Sequence, residues 1–168
     1  VLDCLAPAKK TLQSILLSTW LPDAALPADQ FRLLEKLGEF TALKKVAVDY
    51  PAIVHSEDDF DTLVELLRGM EELECVFLLE VAWSQLFEGE FERFLQAVRV
   101  PEWPRLKAVV LHFSGHMEKD TESGDWEELV SRLRGMVEKN CDGSGVVGQV
   151  WVMDCPGSVV MVSFRKAK

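Results

Sequence analysis

A short pattern of Leu, two residues, Val or Ile, one residue and an aliphatic recurs along the chain, and it limits the choice of fold more than any other feature. It appears as Leu12-Gln13-Ser14-Ile15-Leu16-Leu17, Leu43-Lys44-Lys45-Val46-Ala47-Val48, Leu73-Glu74-Cys75-Val76-Phe77-Leu78, Leu106-Lys107-Ala108-Val109-Val110-Leu111 and, more weakly, Val147-Gly148-Gln149-Val150-Trp151-Val152. The copies begin 31, 30, 33 and 41 residues apart, a range in which periodicity means stacked supersecondary units. A second echo is compatible with that period: Leu63-Val64 with Leu67-Arg68-Gly69-Met70 returns as Leu129-Val130 with Leu133-Arg134-Gly135-Met136.

Between these segments the hydrophobic period changes from 2 to 3.6, as it must if a helix follows each strand. Phe60, Leu63, Val64, Leu67 and Met70 fit one helical face, as do Trp126, Leu129, Val130, Leu133 and Val137, with looser sets at Phe31, Leu34, Leu37 and at Phe87, Phe91, Phe94, Leu95, Val98. Ser56 before Glu57-Asp58-Asp59, and Asp125 with Glu128, read as helix starts. Each interval closes on a bulky residue separated by two residues from the next strand Leu: Phe40 to Leu43, Met70 to Leu73, Trp103 to Leu106. A constant connection of this kind fixes how one unit stacks on the next. Residues 140–145 (Asn-Cys-Asp-Gly-Ser-Gly) lengthen the last interval with a loop, and Pro156-Gly157 turns the chain into a final strand over Ser158 to Phe164, leaving Arg165 to Lys168 as a solvated basic tail.

The pattern predicts an α/β fold: one domain over 1–168, a solenoid of about five strand-helix units closed by a C-terminal β-hairpin. Continuous apolar strands also fit a doubly wound three-layer α/β sheet with helices on both faces. Apolar residues make up 48% of the chain and the net charge is -10, so the partner class is not nucleic acid or an anionic membrane, both of which would repel it. Cys4, Cys75, Cys141 and Cys155 form no CxxC pair and read as free thiols of a cytoplasmic or nuclear protein. No apolar stretch reaches 18 residues, and Val1-Leu2-Asp3-Cys4 has no basic start. A first residue other than Met suggests a domain excised from a longer chain.

These strands and their helix-bearing intervals resemble the irregular leucine-rich repeats that follow F-box motifs, particularly in fungal proteins. The resemblance extends over nearly the whole sequence. It implies a module that recognises a protein partner, including substrate recognition in a ubiquitin ligase. The sequence departs from the repeat consensus where Tyr50, Val81 and Phe113 stand near the position of its closing Asn, and no F-box precedes the first copy.

In each unit the first, fourth and sixth positions face the helices, and the third, fifth and seventh face the other side of the sheet. That outer face reads as apolar: Leu16, Ala47, Phe77, Val110 and Trp151 at the fifth position, with Cys75, Leu79, Ala108 and Met153 beside them. Leu16, Phe77, Leu79, Val110, Trp151 and Met153 are therefore the candidate partner-binding residues, for another protein or a second copy of the chain, with Phe77 and Trp151 as aromatic anchors. No catalytic residue, metal ligand or cofactor is assigned on this reading. The alternative, a small α/β enzyme, would converge Asp49, Tyr50, Glu80, Trp83, His112, His116, Asp154 and Cys155 at the strand ends, with Asp49, Glu80, His112 and Asp154 carrying acid-base or metal chemistry. No glycine-rich phosphate loop or GxSxG elbow accompanies them.

Overall fold

The computed structural model describes residues 2–17, 27–50, 54, 56–81, 93, 103, 105–113, 123–142, 146–153 and 159–166. After a 3-10 helix at Leu2–Ala8, the elements run β1 (Ser14–Leu17), α1 (Pro27–Leu37), β2 (Lys45–Asp49), α2 (Glu57–Arg68), β3 (Cys75–Val81), β4 (Ala108–Phe113), α3 (Ser123–Cys141), β5 (Val146–Met153) and β6 (Val159–Lys166). All six strands form one mixed sheet in the order β1-β2-β3-β4-β6-β5. The first four are parallel neighbours in chain order, and β6 pairs antiparallel with both β4 and β5.

The recurring sequence unit is visible in the backbone. At each junction the strand Leu N–H donates to the carbonyl of the bulky residue before it: Leu43 to Phe40 at 3.1 Å, Leu73 to Met70 at 3.0 Å, Leu106 to Trp103 at 3.2 Å. All six of these residues are buried. One carbonyl per unit then accepts two N–H groups from the next. Gln13 accepts from Lys44 and Lys45, Lys44 from Glu74 and Cys75, and Glu74 from Lys107 and Ala108, at 2.8 to 3.2 Å. The series ends at the Lys107 carbonyl, which accepts at 2.7 Å from Phe164 of β6. Ion pairs also link successive units: Lys9 with Glu39, Glu72 with Arg105, Asp61 with Arg93, and Glu74 with both Lys44 and Lys107. These pairs are partly exposed and contribute little stability each.

One core lies between the helices and a single face of the sheet. Val46 and Val48, Val76 and Leu78, Val109 and Leu111, and Val160 and Val162 join Leu34, Leu37, Leu63, Leu67, Leu133 and Val137 in it. Every second strand residue takes part, as the pleat requires. The described helices thus gather on one side, whereas a doubly wound sheet would place them on both.

Helix α2 shows why its boundaries fall where they do. Ser56 is extended (φ -149°, ψ 168°), and its hydroxyl accepts from the Asp59 N–H at 3.2 Å, satisfying a donor that the first turn leaves free. Acidic residues then favour the positive end of the helix. Phe60, Leu63, Val64 and Leu67 are buried on its inner stripe. Arg93, in the next interval, lies 5.7 Å from the centre of the Phe60 ring. The helical set expected at Phe87, Phe91, Phe94, Leu95 and Val98 lies outside the described residues.

Three expectations need correction. The fifth repeat copy, β5, does not stack beside β4: β6 occupies that position and β5 forms the sheet edge. Only the short segment 154–158 joins β5 to β6, which permits an antiparallel return but no crossover helix. Arg165 and Lys166 are not a free tail, since they pair with Val147 and Val146. Asp125 does not cap α3, which begins at Ser123 and places Asp125 inside its first turn.

Candidate interaction surface

The face of the sheet opposite the core carries the alternate strand residues, and their register can be followed strand by strand. Leu16 pairs with Ala47, Ala47 with Phe77, Phe77 with Val110, Val110 with Met161, and Met161 with Trp151. A single apolar row therefore crosses all six strands, roughly 24 Å from end to end at about 4.8 Å per strand. A more polar row borders it on one side, formed by Ser14, Lys45, Cys75, Ala108, Ser163 and Gln149. On the other side stand Asp49, paired with Leu79, and His112, paired with Val159.

Exposure along the row is uneven. Leu16 at one end is 61% exposed and Trp151 at the other 51%. Phe77, Leu79, Ala47 and Met161 are half-buried. Val110, expected to be open to a partner, is only 7% exposed. Met153 lies on β5 in register with Val159, and its side chain is outside the described residues. The Trp151 indole is held by its own N–H, which donates to the Ser163 hydroxyl at 3.0 Å. Sequence reading missed Met161, which joins Val110 to Trp151, and Val147, which is 38% exposed on the same face of β5. Strand alternation over residues 158–164 marks Met161 as facing the same way as Val159, but only the position of β6 beside β4 places it in the row.

The strand-end residues are only partly assembled. The β3–β4 register shifts between Leu78 and Val81, and within that bulge Glu80 adopts φ 57°, a left-handed conformation unfavourable for a residue with a Cβ. Bulges of this kind re-aim side chains. Here the Glu80 Oε1 comes within 3.6 Å of His112 Nδ1, longer than a hydrogen bond. Asp49 is half-buried and Tyr50 buried, while Trp83, His116, Asp154 and Cys155 lie outside the described residues. Among the described residues no three His, Cys, Asp or Glu side chains are grouped to hold a metal ion.

Electrostatics follow the geometry. Glu74, between Lys107 and Lys44, has its carboxyl held below the ordinary range, chiefly by the hydrogen bond from Lys107 at 2.7 Å. Neither Cys75 nor Cys141 is joined in a disulfide. Burial pushes the Cys75 thiol up, with Lys45 opposing, and burial likewise raises Cys141 against a hydrogen bond from the Gly148 backbone. Neither thiol is therefore activated as a nucleophile.

Among the described residues no helix is long and apolar enough to cross a membrane. In comparisons with known proteins, no family model, no curated protein and no solved structure matches this chain.

Proposed function

We propose that the chain is a protein-recognition module that binds its partner on the outer face of the sheet. The observation that carries this reading is the unbroken row Leu16–Ala47–Phe77–Val110–Met161–Trp151, with its two ends open to water. Parallel sheets are generally covered on both faces. Here the described core engages one face, and the other carries an apolar row that is open at Leu16 and Trp151, closed at Val110, and bordered on one side by a more polar row, as at the rim of a protein interface. Phe77 is the central anchor and Trp151 the outer one; both are aromatic, the class that dominates binding energy at interfaces.

On this reading the recurring junctions and shared carbonyls are those of an irregular leucine-rich-repeat-like solenoid, capped by the β5–β6 hairpin. The module would serve an intracellular protein, with substrate recognition in a ubiquitin ligase as the role that the repeat resemblance suggests. The test is co-purification of the full chain and a Phe77→Glu, Trp151→Glu variant from the same cells, after circular dichroism has established that the variant folds. A partner recovered by the wild type and lost by the folded variant supports the proposal; the same partners recovered by both count against it.

A further inference from the structure

Among the described residues, three of the four large apolar side chains that stand exposed, Val147 (38%), Trp151 (51%) and Val152 (39%), belong to one strand, β5. Among the described strands it ends the sheet: β6 is its neighbour on one side, and no described strand pairs with its other side. An open edge of this kind presents alternate backbone N–H and C=O groups as a template for another strand. Proteins usually blunt such edges with short length, charge or proline. The opposite edge, β1, is only 4 residues long. In contrast, β5 has 8 residues, Val-Val-Gly-Gln-Val-Trp-Val-Met, without a charge or a proline.

We propose that β5 is the pairing edge of a homodimer, in which two copies align their β5 strands antiparallel about a two-fold axis and continue the sheet from one copy into the other. The charge distribution favours a second copy at this edge. The chain as a whole carries -10, yet residues 123–166, which hold α3, β5 and β6, carry six acidic and five basic side chains and are close to neutral. Two copies meeting here avoid the repulsion that the rest of the acidic surface imposes. The strand is also self-complementary. Residues opposite each other must share a face, so an axis through Gln149 sets Val147 of one copy across from Trp151 of the other, and Gln149 across from itself. Aromatic and β-branched side chains make favourable cross-strand pairs, and no like charges face each other. The outer apolar row would then run on into the second copy.

The test is the oligomeric state of the full chain by sedimentation and light scattering, from micromolar to submillimolar concentration. The wild type dimerises. Gln149→Lys and Gln149→Glu, each placing two like charges on the axis, weaken the dimer by roughly fivefold or more. An equimolar mixture of the two variants restores association as a heterodimer. Should a charge at this half-buried position unfold the chain, Val147→Lys on the exposed side supplies the second variant, with the same weakening expected. A wild type that stays monomeric throughout overturns the proposal. So does a dimer indifferent to these substitutions, or an edge that pairs only with an extended segment of a different protein. Phe77→Glu leaves this dimer intact, so loss of the outer-face reading and loss of the dimer are separately observed.

Discussion

Leu78→Ala and Leu16→Ala make the same chemical change on two strands of one sheet, and the structure predicts very different costs. Leu78 of β3 is 3% exposed within the core between sheet and helices, whereas Leu16 of β1 is 61% exposed on the outer face. Removing a fully buried Leu side chain loses its transfer free energy and leaves a cavity, together about 2 to 5 kcal/mol. Leu16 has little more than a third of its surface covered and no enclosed space to empty, so its truncation costs at most about 1 kcal/mol. In a domain of this size each kcal/mol shifts the melting temperature by about 2 to 4 °C. Leu78→Ala should thus melt roughly 4 to 20 °C below the wild type, and Leu16→Ala within about 4 °C of it. Urea unfolding followed by circular dichroism measures both. Equal costs would refute the reasoning, because they would mean that the outer face is buried within the chain as deeply as the inner one and cannot receive a partner.

Other outcomes follow from single contacts. A Cβ added at Gly148 would overlap Val137 Cγ1 and stand 2.9 Å from Cys141 Sγ, so Gly148→Ala should lift α3 from β5 and destabilise by about 1 to 3 kcal/mol in chemical denaturation. Ser56→Ala removes the acceptor for the Asp59 N–H and should cost about 1 kcal/mol in the same assay. The Glu74 carboxyl is depressed in the folded state mainly by the Lys107 hydrogen bond. Its stabilising contribution is therefore present above the unfolded carboxyl value and is lost as pH falls through the lower, folded value. In a carboxyl-detected NMR titration Lys107→Ala should move the Glu74 midpoint upward, and an unchanged midpoint would remove Lys107 as the cause. Because burial raises both Cys75 and Cys141, the two thiols should alkylate more slowly at neutral pH than a free cysteine, as read by mass spectrometry.

The repeat made the α/β class and the four parallel strands legible in the sequence. Residue pairs such as Phe40–Leu43 and Met70–Leu73 have to be buried on both sides of a turn with two residues between them, so a regular sequence spacing and a regular backbone hydrogen bond are the same fact. Strand alternation likewise assigned Leu16, Phe77 and Trp151 to one face. What remained hidden was non-local. Nothing in Val159–Lys166 states that it inserts beside β4, because antiparallel pairing there depends on two strands far apart in sequence. Met161 could not be joined to the apolar row without that knowledge, and the near-complete burial of Val110 depends on neighbours rather than on its own strand pattern. The Glu80 bulge is a further case: a left-handed glutamate inside an apolar run has no local sequence signal.

Whether the outer face binds protein is decided by calorimetric titration of a recovered partner into purified wild type and Phe77→Glu. The outer-face reading predicts a loss of at least about 2 kcal/mol, roughly thirtyfold in affinity, with the variant still folded. An affinity unchanged by that substitution would contradict it.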